Sequence, residues 1–231
     1  MSIAENIAQV RTNIAQACAQ AGRSPEEITL VGASKMNDAA ACREAIAAGI
    51  DALGENRVQE MTAKLADNAY DGAPLHFIGH LQRNKVKQVV GKVALIQSVG
   101  SLELLEEIEK VAAARELVQD ILLEVNIGRE EAKSGFDPDA VTAAAEAALS
   151  LPHVRVRGLM TIPPADADRD ANMRYFQEVQ ALYVDINTKL FHNELKCLSM
   201  GMSGDYMDAI RCGATMVRVG TAIFGARNYN I

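Results

Sequence analysis

The stretch Ile28–Glu55, ITLVGASKMNDAAACREAIAAGIDALGE, contains a strand, a helix and a second strand in direct succession. Apolar and β-branched residues fill Ile28–Ser34, a helical segment covers Ala39–Ala48, and Ala52–Glu55 is the next short apolar run. Two strands joined by a helix run parallel, because the crossover brings the chain back to the same edge of the sheet. This unit therefore predicts an α/β fold.

The same alternation continues to the end of the chain. Six more strands are predicted at Leu75–Gly79, Leu95–Val99, Ile121–Asn126, Val154–Met160, Lys196–Met200 and Met216–Phe224. The helices between them are predicted at Val58–Ala66, Asn84–Val90, Leu102–Arg115, Asp139–Leu149, Asp170–Leu190 and Tyr206–Cys212. Eight such units predict closure into a (β/α)₈ TIM barrel, with an open doubly wound sheet as the alternative. No GxGxxG motif follows the first strand, which argues against a dinucleotide-binding open sheet.

One additional helix precedes the first strand. Ser2 and Glu5 have capping-box spacing, and Gly22 is a plausible stop signal. Between them, apolar residues recur at steps of three and four: Ile3, Ile7, Val10, Ile14 and Cys18. This pattern predicts an amphipathic helix.

Length and composition limit the classes of function. The 231 residues carry no linker or low-complexity tract, which predicts a single domain over residues 1–231. A formal net charge of −7 argues against nucleic-acid and anionic-membrane partners. The four cysteines show no metal-ligand spacing, and neither a signal peptide nor a membrane span is visible. These features predict reduced thiols, no metal site and a cytoplasmic location.

Polar residues cluster where predicted strands end. In a barrel of this kind the functional face is built from the carboxyl ends of the strands and the loops that follow them. The residues at those ends are Lys35, Asn56, His80, Asn126, Ser203, Gly220 and Thr221. They are the first candidates for a site.

Lys35 is the most informative of these residues. A lysine at the mouth of a barrel is partly desolvated, and desolvation lowers the pKa of an ammonium group. The resulting free amine attacks aldehydes and ketones. The competing interpretation is a lysine whose charged end simply extends to solvent from a strand end.

The last two strands suggest a phosphate site. Small residues over Gly201–Asp205 lead into a short helix, and Gly220 with Thr221 offers further backbone N–H groups and a hydroxyl. Loops after strands 7 and 8 of barrels often hold phosphate in this way. The alternative is an ordinary helix cap at Ser203 or Asp205 and a tight turn at Gly220.

Arg218 lies within the last strand, where alternation places it on the same face as Met216 and Gly220. An arginine inside a barrel needs a partner. Two interpretations remain open: an ion pair in the interior, with Glu124 as a candidate, or a guanidinium that faces a ligand acceptor such as a pyridine nitrogen.

Taken together, these segments resemble one family over nearly the whole chain and in the same order. The matching segments are Val31–Lys35, Gly54–Glu60, His76–Lys85, Val125–Gly128, Lys133–Phe136, Gly158–Pro163, Leu198–Ser203 and Val217–Gly225. The chain is similar to the pyridoxal phosphate homeostasis protein family. It departs from the family's usual pattern at Met36-Asn37-Asp38 and at Gly100, which stands where an aspartate is usual.

The resemblance implies the barrel of the alanine racemase N-terminal domain and bound pyridoxal 5′-phosphate (PLP). It implies a Schiff base on Lys35 and a pyridine nitrogen facing Arg218. It also implies phosphate contacts from Ser203, Gly220 and Thr221. Asn56 and Met200 are then expected near the ring. The resemblance therefore implies that the protein binds PLP and passes it to apo forms of PLP-dependent enzymes. The expected assembly is a monomer or weak dimer.

No catalytic residue is predicted, and the chemistry favours a PLP carrier or regulator over an enzyme. An arginine does not readily yield a proton to the pyridine nitrogen, so the ring stays a weaker electron sink. The resemblance also implies an open face of the cofactor, because racemases use an additional domain and a partner subunit that are not part of this pattern. The alternatives are a PLP-dependent amino-acid racemase-like enzyme and an aldolase that uses Lys35 without a cofactor.

Overall fold

The computed structural model describes residues 1–225, which form a closed barrel of eight parallel strands in chain order. The strands are β1 (Thr29–Ala33), β2 (Ala52–Glu55), β3 (Leu75–Phe77), β4 (Leu95–Val99), β5 (Gln119–Val125), β6 (Val154–Thr161), β7 (Cys197–Ser199) and β8 (Met216–Val219). Closure is made by β1, which pairs with both β2 and β8. The predicted (β/α)₈ barrel is confirmed and the open sheet is excluded.

Helices alternate with the strands as predicted. They are α1 (Ile3–Gln20), α2 (Ala39–Ala47), α3 (Val58–Ala66), α4 (Val86–Val89), α5 (Leu102–Ala113), α6 (Val141–Leu149), α7 (Arg169–Leu190), α8 (Tyr206–Arg211) and α9 (Thr221–Phe224). Two short 3₁₀ turns, Pro25–Glu27 and Arg83–Lys85, precede β1 and α4. The helix predicted at Asn84–Val90 is therefore split into a 3₁₀ turn and a single α-helical turn.

The prediction of a last strand that continues to Phe224 was wrong. The strand ends at Val219, and the backbone of Gly220 leaves the extended region at φ −109° and ψ −83°. The carbonyl of Gly220 then accepts the N–H groups of Ile223 and Phe224, both at 2.9 Å. The apolar run therefore forms the helical turn α9 at the mouth of the barrel.

The amphipathic helix α1 begins at the predicted capping box. The Ser2 hydroxyl accepts the Glu5 N–H at 3.2 Å, while the Glu5 carboxylate accepts the Ser2 N–H at 2.8 Å. The Asn6 side chain of the same helix donates to the carbonyl of Ile223 in α9 at 2.8 Å. Helix α1 thus supports the turn that follows the last strand.

The core has two parts. A large cluster fills the space between the barrel and its helices, and a smaller one fills the barrel interior. The interior cluster consists of Val31, Ala52, Leu95, Leu122, Met160 and Met216. Two positions beyond Leu95, Leu122 and Met216, and beyond Cys197, which packs against this cluster, the inward-facing residues are polar: Gln97, Glu124, Arg218 and Ser199. A polar layer therefore lies above the apolar one, toward the carboxyl ends of the strands.

The sequence predicted no membrane span and reduced cysteines. None of the described helices is long and apolar enough to cross a membrane. Cys18, Cys42 and Cys212 are buried and Cys197 is half-buried, all as free thiols.

The predicted single domain extends to residue 231, and residues 226–231 lie outside the described part of the chain. The extent of the domain therefore stays a prediction.

Candidate functional site

The structure brings the predicted polar residues to one end of the barrel. Asn56 directly follows β2, Gly220 directly follows β8, and Lys35 lies two residues beyond β1. Because β1 pairs with β2 and with β8, these three loops are neighbours. Ser203 follows β7, the next strand around the barrel. The carboxyl edge of the barrel therefore carries the candidate site.

Lys35 is half-buried in a turn whose backbone is held on both sides. The preceding residue, Ser34, is fully buried and its N–H donates to the Gly54 carbonyl at 3.0 Å. The Asn37 side chain donates to the carbonyl of Lys35 at 3.0 Å. Met36, the next residue, has a φ of +62°, in the left-handed region. The turn has a defined shape, and the predicted covalent role of Lys35 remains a prediction.

Arg218 is buried in the barrel interior and hydrogen-bonded to neutral groups. Its Nη1 donates to the Ser199 hydroxyl at 2.5 Å and its Nη2 donates to the Thr161 carbonyl at 2.8 Å. The suggested ion-pair partner Glu124 is instead bonded by the Ser134 hydroxyl at 3.0 Å. Among the described residues, Arg218 makes no ion pair within 4 Å, which disfavours the interior pair with Glu124 that the sequence left open.

The Arg218 guanidinium keeps its charge despite its burial. Burial lowers its pKa to about 10, while the negative charges of Glu124 and Asp205 act in the opposite direction. A pKa near that value leaves the group protonated at neutral pH. An arginine in this position offers N–H donors and a positive charge to a ligand, and it does not act as an acid there.

Arg218 is one end of a buried chain of hydrogen bonds. The Ser199 hydroxyl, which accepts from Arg218, donates to Gln97 Oε1 at 2.7 Å. The Gln97 amide nitrogen then lies 3.0 Å from His76 Nδ1. This amide orientation fits a neutral imidazole whose Nδ1 accepts the hydrogen bond. The chain links β3, β4, β7 and β8 and fixes the direction of the guanidinium.

The buried His76 makes the folding stability of the whole protein depend on pH. Burial lowers its pKa to about 4, whereas a histidine in the unfolded chain has a pKa of about 6.5. Between these values the unfolded state binds a proton that the folded state does not, so stability rises with pH. We expect His76→Asn, which retains an acceptor for Gln97, to remove about 3 kcal/mol of pH dependence between pH 4 and 6.5. Urea unfolding of both proteins across this range measures it, and identical pH profiles would contradict it.

Asn56 contributes an unpaired acceptor to the mouth. Its Oδ1 atom is buried and has no hydrogen-bond partner among the described residues. Asn56 lines a cleft of about 240 Å³ together with Glu124, Asn126 and Lys133. Buried polar atoms normally have a partner, so an unpaired one in a cleft points to a ligand that completes its bonding.

The predicted phosphate residues also meet. The Ser203 hydroxyl accepts the N–H of Gly220 at 3.1 Å and the N–H of Ala222 at 3.3 Å. Thr221 lies between them and is exposed. Ser203 therefore contacts the start of α9, which carries Gly220 and Thr221.

The loop that carries Ser203 depends on Gly201. Its φ is +92°, and an added Cβ would lie 2.6 Å from the Ala209 Cβ and 2.8 Å from the Tyr206 Cα. A side chain at position 201 would therefore push the loop away from α8. The glycine allows the loop to turn tightly and present Ser203 toward β8.

Met200 does not join the residues at the mouth. Its side chain is fully buried in the large cluster between the barrel and its helices. The neighbouring Ser199 faces the interior, so alternation directs Met200 outward. The expected contact with a ring is not visible in this arrangement and stays a prediction.

Sequence reasoning missed the residues that orient Arg218. Gln97 and Ser199 are polar residues within apolar strands, and both are fully buried. A polar residue at an inward position of a buried strand is the signal that could have identified them. Glu55 and Lys64 were missed as well; they form a buried ion pair of 2.7 Å beside the Lys35 turn.

Comparison with known proteins defines the class first. The alanine racemase N-terminal domain family matches residues 6–228. An alanine racemase of Clostridium difficile 630 has a TM-score of 0.73 at 18% identity, and the match covers 99% of this chain but only 58% of the racemase. At this identity the likeness shows the fold alone. The protein is thus a barrel of the alanine racemase N-terminal type.

Closer relatives define the family within that class. The pyridoxal phosphate homeostasis protein of Aquifex aeolicus (strain VF5) is 42% identical over 99% of this chain and 100% of that protein. The protein of the same name from Escherichia coli (strain K12) is 38% identical over 99% of this chain and 98% of that protein. This chain belongs to the pyridoxal phosphate homeostasis protein family.

One solved relative has been determined with and without PLP. PipY of Synechococcus elongatus PCC7942, with PLP bound, has a TM-score of 0.85 and 33% identity, and the match covers 97% of this chain and 100% of PipY. The form of PipY without PLP has a TM-score of 0.87. Both forms share the fold of this chain.

Proposed function

We propose that this protein binds PLP through Lys35 at the mouth of the barrel and takes part in intracellular PLP homeostasis. The observation that supports this most strongly is the position of half-buried Lys35 at the same end of the barrel as buried Arg218 and the contact between Ser203 and Gly220. PipY, with which this chain shares 33% identity over most of its length, is a PLP-binding relative. Membership of the homeostasis family agrees with the proposal.

The residues at the mouth fit the chemistry of PLP. The cluster of Ser203, Gly220 and Thr221 suits a phosphate, because the hydroxyls of Ser203 and Thr221 can donate to it while the Gly220 N–H holds the Ser203 hydroxyl in place. Arg218 offers a fixed cationic donor for the pyridine nitrogen, and Asn56 has an unpaired buried acceptor for a polar group on the ring. PLP would supply an aldehyde there, and Lys35 would hold it covalently through its amine with loss of water.

We further propose that the protein carries or regulates PLP and does not turn over an amino acid. Arg218 keeps its proton at neutral pH, so it does not supply the acid that strengthens the ring as an electron sink. Two relatives that are each 42% identical to this chain are named as homeostasis proteins. Apo forms of PLP-dependent enzymes are the proposed recipients, and the assembly is proposed to be a monomer or weak dimer in the cytoplasm.

Incubation with single amino acids in deuterated water tests this part of the proposal. We expect protein loaded with PLP to give negligible multiple-turnover deuteration at the α-carbon, measured by NMR. Steady turnover that Lys35→Ala abolishes would establish the racemase-like alternative. A protein that stays colourless after incubation with PLP would contradict both the PLP carrier and the racemase-like enzyme. The aldolase that uses Lys35 without a cofactor would then remain.

The phosphate cluster gives a separate prediction. Ser203→Ala removes the hydroxyl that organises the N–H groups of Gly220 and Ala222. We expect the Kd for PLP to rise about tenfold, the effect of losing one or two hydrogen bonds to a charged group. The Kd for pyridoxal, which lacks the phosphate, should change little.

Titrations with both compounds measure the difference. Ser24→Ala is the matched control, because Ser24 caps the 3₁₀ turn at the opposite end of β1. Equal weakening of PLP and pyridoxal binding by Ser203→Ala would place the phosphate elsewhere.

A further inference from the structure

A buried charged network lies against the outer side of β2, beside the Lys35 turn. The Glu55 side chain is fully buried, and its Oε1 accepts from Ser34 Oγ at 2.6 Å, Lys64 Nζ at 2.7 Å and Tyr70 OH at 3.0 Å. Three donors on one oxygen fit an ionised carboxylate. Burial of such a pair is costly and contributes little net stability, so its position calls for a reason beyond packing.

The network holds the peptide groups on both sides of Lys35. Lys64 Nζ donates to the Ser34 carbonyl at 2.8 Å. The Met36 N–H donates to Glu60 Oε1 at 2.5 Å. Lys64 Nζ also donates to that same Glu60 oxygen at 2.8 Å, so one cation joins the two contacts. The residue before Lys35 and the residue after it are therefore held by a pair of side chains from α3.

The contact with Met36 acts on an unfavourable backbone conformation. Met36 has a φ of +62°, in a region that residues other than glycine, asparagine and aspartate rarely adopt. Its own side chain is 47% exposed, so packing of that side chain does not hold it there. A hydrogen bond to a charged acceptor is strong enough to favour such a residue. Without the Glu60 acceptor, the turn is expected to relax toward ordinary backbone conformations.

We infer that Lys64 and Glu60 are positioning residues that keep the Lys35 turn in the shape that presents its amine to the mouth. This inference rests on the proposed function, since the amine is positioned for the aldehyde of PLP. Neither residue lines the cleft that contains Asn56. They raise the population of the binding-competent turn. When either is removed, the apparent affinity for PLP falls in proportion to the competent protein that is lost.

A rescue experiment distinguishes positioning from general support of the fold. We expect Glu60→Ala to raise the Kd for PLP about tenfold, as when the competent turn falls to roughly one tenth of the population. Glu60→Gln, which keeps an oxygen acceptor for the Met36 N–H, should remain within about threefold of the parent protein. The double variant Glu60→Ala/Met36→Gly should return to within about threefold as well, because glycine adopts the positive φ without cost.

Two further measurements complete the test. Glu27→Ala is the matched control, because the Glu27 carboxylate also accepts a backbone N–H, from Ser24 at 2.9 Å, at the other end of β1; it should bind PLP like the parent protein. Hydrogen exchange of the Met36 amide, measured without PLP, should accelerate about tenfold in Glu60→Ala. This readout does not depend on PLP, and binding to the parent protein tests the proposed function separately.

Two outcomes would overturn the inference. One is parent-like affinity and parent-like exchange at Met36 in Glu60→Ala. The other is a loss of affinity that Met36→Gly does not restore, since Glu60 would then act through something other than the turn. If the parent protein fails to bind PLP, the proposed function fails while the exchange data still decide whether Glu60 holds the turn.

Discussion

Lys35→Ala is expected to abolish the covalent retention of PLP. The parent protein, once incubated with PLP and desalted, should be yellow, and the variant should lose this absorbance. The phosphate cluster and Arg218 remain in the variant, so weak reversible binding should persist. A rise in Kd of roughly a hundredfold, about 2.7 kcal/mol, is the expected scale for losing the covalent link alone.

The control for this experiment is another lysine at the mouth. Lys133 lines the same cleft as Asn56, and it forms an ion pair of 2.5 Å with Glu130. Lys133→Ala should keep the absorbance, because the proposed covalent link does not involve it. Retention of the colour by Lys35→Ala together with its loss in Lys133→Ala would reverse the assignment.

The second large effect is expected from Lys64→Met, which leaves Glu55 buried without its cation. Breaking a buried ion pair by removing one partner costs about 3–5 kcal/mol of stability. Lys64 lies only 2.7 Å from the Glu55 carboxylate, and their side chains are 7% and 0% exposed. We expect a loss of this size at pH 7, measured by urea unfolding of the protein without PLP.

The loss should depend on pH. Burial raises the pKa of Glu55, and in the parent protein the charge of Lys64 opposes this shift. Without Lys64 the folded-state pKa lies further above that of the unfolded chain, so the folded state holds a proton that the unfolded state releases. The destabilisation should therefore shrink as the pH falls toward 4.5 and grow as it rises.

A double-mutant cycle isolates the pair. Glu55→Gln removes the negative charge, and the combination Glu55→Gln/Lys64→Met should recover most of the stability lost in Lys64→Met. Lys189→Met is the surface control, because Lys189 and Asp185 form an exposed pair in α7 that should contribute less than about 1 kcal/mol. Additive effects of the two buried substitutions would show that Glu55 does not depend on Lys64.

The barrel could be predicted because its signals are local. Hydrophobic runs of strand length, helical periodicity and the Ser2–Glu5 capping box all depend on residues close in sequence. The last strand was the exception. Ala222, Ile223 and Phe224 are apolar and resemble a strand, but the turn at Gly220 and the bond from Asn6 in α1 hold them in a helix.

The site could be predicted only in part, because its contacts are long-range. The positions of Lys35 and Asn56 at the mouth could be predicted, because both residues follow strand ends. The partners of Arg218 lie on β6 and β7, and the Gln97 amide that fixes Ser199 is 102 positions away in the chain. Lys64 follows Val58 and Met61 at steps of three on the buried face of α3, but only tertiary packing shows that it reaches Glu55 and the Ser34 carbonyl.

Reductive trapping followed by peptide mapping is the most direct examination of how the cofactor is held. The protein is incubated with PLP, treated with borohydride, digested and analysed by mass spectrometry. We expect a single phosphopyridoxyl-labelled peptide that spans the carboxyl end of β1, with the label on Lys35. A label on any other lysine, with Lys35 recovered unmodified, would contradict the account.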